Sequence, residues 1–321
     1  MVTRSLVRSE DQFCIYRSVE SSGVRVLWEL TSACNLKCDF CLVEIKRAHL
    51  PVPRALAIAD ELIAAGVDKV LLSGGEPLLY PGILPLMQRL TQGGVLVKLL
   101  TNGTQRNDAL FDFVRASGTI EVSLSLPTVN PVEADRIFGA EHTLASIYAT
   151  IDELPLAKLN IICAISQANV AGVGDVIDWV AARNIPCISL TNIFKDPSSP
   201  ARYHDDCRDL AIGRDQRSAL FGLIAERRAR YDGRLAIRTT QFELQGCEQC
   251  MAGRTVFYLD PRGTLLPCTV TENRGWREAV RHLSVTEALH WYRDNLPELP
   301  ASSCSATLAA SKHTAQLRAR A

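Results

Sequence analysis

The chain has 321 residues, of which 47% are hydrophobic, and this length fits one large domain with a smaller appendage. Lysine and arginine number 35, as do aspartate and glutamate, so a zero net charge predicts neither nucleic acid nor an anionic membrane as a partner. No apolar run reaches transmembrane length and the N-terminus lacks a signal-peptide core. The 11 cysteines are grouped at metal-binding spacings, which predicts a reducing cytoplasm rather than disulfides.

A strand-like run, VRVLWEL over residues 24–30, leads into a loop with three cysteines. We call residues 31–41, TSACNLKCDFC, the cysteine loop. Its thiols Cys34, Cys38 and Cys41 follow a C-x3-C-x2-C spacing, and each can bind one iron of a 4Fe–4S cluster. The fourth iron would lack a protein ligand and stay open to a small molecule, which predicts a reaction centre. The alternatives are a structural zinc loop, which would need a fourth ligand nearby, or three incidental thiols.

The next elements are a helix and a second strand. Residues 53–65, PRALAIADELIAA, have helical periodicity, and Gly66 follows as a C-terminal cap. The strand over residues 69–72 runs into residues 73–77, which we call the SGGEP segment. Two adjacent residues without a Cβ let the backbone approach a ligand closely, and a carboxylate can meet an ammonium group.

Together, the cysteine loop and the SGGEP segment resemble the radical S-adenosylmethionine (SAM) enzymes. In that family the cysteines hold a 4Fe–4S cluster and the GGE segment binds the methionine amino group of SAM. The resemblance therefore implies contacts to SAM from Ser73, Gly74, Gly75 and Glu76. Phe40, between the last two cysteines, matches the family's aromatic position against the adenine.

Strand-like runs continue at residues 95–100, 120–126, 159–166 and 187–190, with helical stretches between them that include residues 146–154 and 173–183. Six strands separated by helices predict parallel βα units and an α/β fold. The resemblance implies a partial (β/α)6, TIM-like barrel, in which ligands gather at the carboxyl ends of the strands.

Polar residues stand at these strand ends. By resemblance, Asn102 would lie close to the nucleoside of SAM, and Ser123 or Ser125 would contact its ribose or methionine carboxylate. Gln167 and Asn192 close the fifth and sixth strands and are candidates of the same kind, with ordinary turn chemistry as the alternative. Many relatives with an extra cluster have SLDG at the fourth strand, whereas this chain has SLPT at residues 125–128, so substrate contacts do not transfer directly.

A second group of cysteines follows near the C-terminus, in a pattern that resembles the SPASM or twitch extension. Residues 256–259 and 264–266 predict a β-hairpin around the turn at 260–263, and a helical stretch covers residues 286–294. The resemblance implies a second, auxiliary 4Fe–4S cluster with the ligands Cys247, Cys250, Cys268 and Cys304. Two alternatives stay open: a zinc site with the same thiolates, or a free Cys247 that acts as a hydrogen-atom donor.

The implied domain division is an N-terminal extension over residues 1–24 and a radical SAM barrel over 25–205. A small auxiliary-cluster domain with the β-hairpin would cover residues 206–305, and a poorly ordered tail 306–321.

The implied function is reductive cleavage of SAM followed by removal of a hydrogen atom from an unactivated C–H bond. The layout is similar to that of the radical dehydrogenases and epimerases of aminoglycoside pathways, which favours a small natural product such as an aminosugar or aminocyclitol as substrate and antibiotic biosynthesis as the context. An electron passed to the auxiliary cluster would give oxidation, and a hydrogen atom from a thiol would give epimerisation. Flavodoxin or ferredoxin is the expected reductant. The alternatives are a maturase of a ribosomal peptide and a non-catalytic iron–sulfur electron carrier, which has no need of the SGGEP segment.

Overall fold

The computed structural model describes residues 23–41, 49–192, 212–240, 252–267 and 274–295. Its strands are β1 (Arg25–Glu29), β2 (Lys69–Ser73), β3 (Leu96–Thr101), β4 (Ile120–Ser125), β5 (Leu159–Ile165), β6 (Cys187–Asn192), β7 (Ala236–Thr240), β8 (Val256–Leu259) and β9 (Leu265–Leu266). Its helices are α1 (Val52–Ala64), α2 (Ile83–Gln92), α3 (Asp108–Ala116), α4 (Pro131–Phe138), α5 (Thr143–Glu153), α6 (Val173–Ala182), α7 (Arg214–Arg230), α8 (Arg274–Val280) and α9 (Val285–Asn295).

Within these ranges, the strands form one sheet of nine in the order β7-β6-β5-β4-β3-β2-β1-β8-β9. Every neighbouring pair from β7 to β8 is parallel, and β8 pairs with β9 in the antiparallel sense. Strands β1 to β6 follow one another along the chain with helices between them, as parallel pairing requires. The sheet does not close on itself, so the predicted α/β fold with a partial barrel is confirmed.

The first helix illustrates why the elements form where they do. Its buried side chains recur every three or four residues and make one apolar face, consisting of Ala55, Ile58, Ala59 and Leu62. Gly66 follows with a φ of 71°, the left-handed conformation that ends many helices. The helix predicted over residues 53–65 with its glycine cap is therefore confirmed to within one residue at each end. Among the described helices, none is long and apolar enough to cross a membrane.

Strand β7 was missed by the sequence analysis. It pairs with β6 in parallel and extends the sheet by one strand. Its sequence, AIRTT, places an arginine in the middle of the strand, and Arg238 stands opposite Ser189 of β6 in the register. A charged residue is tolerated there because the inner face of this sheet is polar, which a pattern of alternating apolar residues does not reveal.

The predicted hairpin is confirmed as β8 and β9, and Gly263 adopts a φ of 80° in its turn. However, β8 also pairs in parallel with β1, from Arg25 opposite Val256 to Trp28 opposite Leu259. The hairpin is thus continuous with the barrel sheet. The division at residue 205 stays a prediction, although strands on both sides of it share one sheet. Residues 1–22 and the tail 306–321 lie outside the described residues.

The two faces of the sheet differ in chemistry. Alternate residues of each strand point to opposite sides, and one set, including Val26, Trp28, Val70 and Leu72, belongs to the buried apolar core. The other set includes most of the polar residues of the strands and faces the interior of the partial barrel, which we call the inner face. Across its middle, the Asn160 amide donates to Ser123 Oγ at 3.0 Å and the Ser189 hydroxyl donates to Asn160 Oδ1 at 2.9 Å.

At the amino end of the inner face, a lysine is almost completely buried. Lys98 is 2% exposed, and its Nζ lies 3.7 Å from Glu121 Oε2. Lys69 Nζ lies 2.9 Å from the same oxygen, so one carboxylate faces two ammonium groups. Burial lowers the pKa of Lys98 to about 7, although Glu121 opposes the shift.

This shift predicts a pH dependence of stability that Lys98→Met removes. The pKa of Lys98 is about 7 in the folded protein, and an unfolded lysine titrates at about 10.4. Between these values the unfolded chain binds more protons, so the free energy of unfolding rises with pH. Relative to the variant, we expect the free energy of unfolding of the native protein to rise by about 1 kcal/mol per pH unit between about pH 7.5 and about pH 9.5. Denaturant unfolding at several pH values measures the difference, and parallel profiles would contradict it.

Candidate active site

The cysteine loop leaves the carboxyl end of β1 and carries three half-buried thiols that form no disulfide. Burial raises the pKa of Cys34, and it raises the pKa of Cys38 to about 12. The charges that Cys41 and Cys34 would carry as thiolates add to the shift of Cys38, because like charges in proximity disfavour ionisation. The three thiols therefore lie close to one another, and a bound cation would favour their thiolate forms.

Two glycines bring the SGGEP segment into direct backbone contact with the cysteine loop. The Gly75 amide donates to the Thr31 carbonyl at 2.7 Å, and the Glu76 amide donates to the Ala33 carbonyl at 2.8 Å. A Cβ on Gly74 would lie 2.4 Å from the Thr31 oxygen, and one on Gly75 would lie 2.2 Å from the Ala33 oxygen. The glycines thus permit close approach to the cysteine loop, and their predicted close approach to a ligand stays a prediction.

The other side of the cysteine loop contacts the end of α4. The amides of Lys37 and Asp39 donate to the carbonyls of Phe138 and Ile137, each at 3.1 Å. Gly139 then ends the helix with a φ of 63°, and a Cβ there would lie 2.8 Å from the Lys37 oxygen. The loop is therefore bound along both sides by backbone hydrogen bonds, which fixes the positions of its cysteines.

Glu76 is completely buried and accepts three hydrogen bonds. The Thr101 hydroxyl donates to its carboxylate at 2.7 Å, the Asn102 amide at 2.8 Å and the Leu78 amide at 3.0 Å. Burial raises the pKa of Glu76 to about 7, against the effect of these donors. The side chain joins the end of β2 to the end of β3, and the expected contact with the methionine ammonium stays a prediction.

A triangle of polar side chains connects β3 to the cysteine loop. Asn102 donates to Asn35 Oδ1 at 3.0 Å, and Asn35 donates to Thr104 Oγ1 at 2.7 Å. The Thr104 hydroxyl closes the triangle by donating to Asn102 Oδ1 at 2.7 Å. Asn102 Nδ2 also lies 4.0 Å from Cys34 Sγ, so this predicted site residue is placed directly beside the cysteines.

The two serines of β4 have different surroundings. Ser123 is 1% exposed and its hydroxyl accepts from Asn160, in the middle of the inner face. Ser125 is half-buried at the carboxyl end of the strand. Of the two residues predicted to contact SAM, Ser125 has the more accessible hydroxyl, while Ser123 belongs to the packed interior.

The remaining predicted residues are placed as follows. Phe40 is half-buried in a turn that the Cys41 amide closes on the Cys38 carbonyl at 3.1 Å. Ser73 is half-buried, Gln167 is exposed, and Asn192 ends β6. The auxiliary cysteines, Cys247, Cys250, Cys268 and Cys304, lie outside the described residues, so the second cluster and the donor role of Cys247 stay predictions.

Three further polar residues at this end of the sheet were not predicted from the sequence: Asn35, Thr104 and Asn169. Asn169 is buried and donates to the carbonyls of Pro127 and Ala164, both at 2.8 Å, which joins the SLPT turn to the end of β5. Asn35 stands between two cysteines and Thr104 follows a strand by three residues, and both positions are visible in the sequence. Their pairing is not visible, because 69 residues separate them.

Residues 28–171 match the family model described as the Radical SAM superfamily. The predicted resemblance to the radical SAM enzymes is therefore confirmed for this segment of the chain. It is 33% identical over 130 residues to the AdoMet-dependent heme synthase of Methanosarcina barkeri (strain Fusaro / DSM 804), which covers 38% of this chain and 37% of the relative. It is 26% identical over 272 residues to the PqqA peptide cyclase of Xanthomonas axonopodis pv. citri (strain 306), which covers 79% of this chain and 70% of the cyclase.

Among solved structures, SuiB of Streptococcus suis, determined with its precursor peptide SuiA bound, has the same fold. The TM-score is 0.67 at 16% identity, and the match covers 84% of this chain and 64% of SuiB. The chain therefore spans less than two thirds of SuiB and 37% of the heme synthase.

Radical SAM enzymes use a 4Fe–4S cluster and SAM, and the cysteine loop fits that cluster. In the part of the chain that the structure describes, no three cysteine, histidine, aspartate or glutamate side chains converge on a single metal ion. A cubane cluster instead takes one thiolate at each of three separate irons. Cys34, Cys38 and Cys41 fit this arrangement, because Cys34 and Cys41 are close enough to raise the pKa of Cys38 while the three thiols do not converge on one point.

Gly75→Ala should disrupt this radical SAM site. The new Cβ would overlap the Ala33 carbonyl at 2.2 Å, and forced overlap of backbone typically costs about 1–3 kcal/mol. We expect lower iron content after anaerobic reconstitution and a lower melting temperature. Gly118→Ala is the control, since nothing lies within 4 Å of a Cβ there. Equal iron content in the two variants would show that the close approach is not required.

Glu76→Ala should reduce both stability and affinity for SAM. It leaves the donors from Thr101, Asn102 and Leu78 without their acceptor, and each unpaired buried group costs about 1–3 kcal/mol. We expect the free energy of unfolding to fall by about 3 kcal/mol, and SAM affinity by about tenfold or more. Exposed Glu141 provides the control variant Glu141→Ala. Loss of stability with unchanged SAM affinity in calorimetry would give Glu76 a purely structural role.

Proposed function

We propose that the chain is a radical SAM enzyme that removes a hydrogen atom from an unactivated C–H bond of a peptide. The observation that carries this proposal is the joined pair of cysteine loop and SGGEP segment, whose backbones meet through hydrogen bonds of 2.7 and 2.8 Å. An electron carrier would need the cysteines alone.

The chain's own residues bind and orient the reactants. Cys34, Cys38 and Cys41 would hold three irons of the cluster, and the SGGEP segment beside them would bind the methionine part of SAM. When bound, the cluster and SAM supply an electron and a 5′-deoxyadenosyl radical that takes hydrogen from the substrate. The backbone hydrogen bonds on its two sides keep the cysteine loop in place. The middle of the inner face is filled by hydrogen-bonded side chains and leaves little space for water.

A peptide substrate is better supported than the expected aminosugar or aminocyclitol. The PqqA peptide cyclase aligns with 79% of this chain, and SuiB, which shares the fold, was solved with a precursor peptide. In the part of the chain that the structure describes, the sheet is open and has β7 and β9 as its edge strands. A flavodoxin or ferredoxin would deliver the electron. Oxidation, with the auxiliary cluster as acceptor, and epimerisation, with Cys247 as donor, remain the two outcomes of the proposal.

A triple variant should lose one cluster and all cleavage of SAM when alanine replaces Cys34, Cys38 and Cys41. The assay is formation of 5′-deoxyadenosine with dithionite under anaerobic conditions. Cys187→Ala is the control, because Cys187 is a buried thiol of β6 outside the cysteine loop. Cleavage of SAM by the triple variant at the native rate would refute the assignment of the cluster.

The substrate class is tested by incubating the reconstituted enzyme with short peptides encoded near its gene, and with aminosugars. We expect a change only in a peptide. Oxidation would remove two hydrogens, whereas epimerisation in deuterium oxide would replace one hydrogen by deuterium and leave the peptide otherwise unchanged in mass. Modification of an aminosugar and of no peptide would contradict the proposal.

A further inference from the structure

A carboxylate that the sequence analysis did not consider lies at the carboxyl edge of the inner face. Glu29 is the last residue of β1, and it stands opposite Ser73 of the SGGEP segment in the parallel register. Leu30 alone separates it from the cysteine loop. Glu29 is half-buried, whereas its neighbour in the strand, Trp28, is completely buried in the core on the outer side. The Glu29 carboxylate therefore lies at the same edge of the sheet as the cysteine loop and the SGGEP segment.

The group that contacts this carboxylate comes from the far end of the chain. The Tyr258 hydroxyl of β8 donates a hydrogen bond to Glu29 Oε2. Tyr258 is 1% exposed and stands opposite Leu27 in the register, so its ring is fixed on the same face as Glu29. The phenol thereby holds one carboxylate oxygen in a defined position.

The charge of Glu29 is not matched by a cation among the residues that the structure describes. Other glutamates there, such as Glu61, Glu121 and Glu153, each pair with a lysine or an arginine, whereas Glu29 pairs with neither. A carboxylate accepts about four hydrogen bonds, and partial burial of an unmatched charge is unfavourable. A ligand that brings a positive charge and several N–H donors would satisfy both requirements.

We propose that Glu29 and Tyr258 form an amine-binding subsite that takes a protonated primary amine. An ammonium group has three donors and no acceptor, which suits the free lone pairs of a carboxylate fixed by a phenol. The source of the amine is the substrate, through a lysine side chain or an N-terminus of the peptide, and this rests on the proposed function. The methionine ammonium of SAM has the same chemistry, so the test must separate the two sources.

The test uses reconstituted enzyme with SAM, dithionite and one of two deuterated probes, n-butylamine or 1-butanol. The probes have equal size, and only the amine is cationic at neutral pH. A probe bound beside the cleaved SAM donates deuterium to 5′-deoxyadenosine, which mass spectrometry detects. For the native protein we expect at least about tenfold more transfer from the amine. Glu29→Gln should abolish this excess and Tyr258→Phe should reduce it, with SAM affinity unchanged in both.

Glu121→Gln is the matched control. Glu121 is another carboxylate of the inner face, but it already pairs with Lys69 and Lys98 at the opposite end of the strands. This variant should retain the excess transfer from the amine. Retention of the excess in Glu29→Gln, or equal transfer from both probes in the native protein, overturns the subsite.

A second readout does not depend on turnover. Saturation-transfer NMR of n-butylammonium with the oxidised, reconstituted protein should show contact that Glu29→Gln removes and Glu121→Gln retains. If SAM is not cleaved at all, the proposed function fails while this measurement still decides the subsite. If Glu29→Gln weakens SAM binding about tenfold or more, the amine bound there is the methionine ammonium, and the assignment to substrate is overturned.

Discussion

The contact on which the rest of the site depends is the approach of two peptide units, at Gly74 and Gly75, to the carbonyls of Thr31 and Ala33. Hydrogen bonds of 2.7 and 2.8 Å require that no side chain stands between the two segments. With this contact in place, the Glu76 carboxylate reaches the end of β3, and the side chain of Asn102 reaches Asn35 in the cysteine loop. One steric requirement thus sets the relative positions of the cysteines, the SGGEP segment and β3.

The inner face has two ends with different electrostatic organisation. At the amino end, the Glu121 carboxylate pairs with both Lys69 and Lys98. At the carboxyl end, Glu29 has a phenol as its partner and Glu76 has neutral donors. The row of Ser123, Asn160 and Ser189 separates the two ends. The two carboxylates that have no ionic partner among the described residues therefore lie at the end of the sheet where ligands would arrive.

Most of the barrel could be predicted from the sequence, because β1 to β6 are mostly apolar and helical patterns lie between them. Strand β7 could not be, since only Ala236 and Ile237 of its five residues are apolar and Arg238 is acceptable only on the polar inner face. The cysteines and the SGGEP segment were visible as motifs. Spacing along the chain does not encode contacts between distant residues. Three features depend on such contacts: the approach of the two motifs, the burial of Glu76 and the link between Asn35 and Thr104.

The pairing of β1 with β8 has a consequence for the order in which the protein assembles. Residues 25–28 are synthesised early, yet their neighbours at 256–259 follow more than two hundred residues later. Until then, the strand that leads into the cysteine loop has an open edge, and contacts between such distant segments form slowly. The Tyr258 hydroxyl also reaches Glu29 only at this step. The reactive centre is thereby completed only after β8 has been synthesised. A product that ends before β8 would expose an unpaired edge of β1, which can pair with other chains.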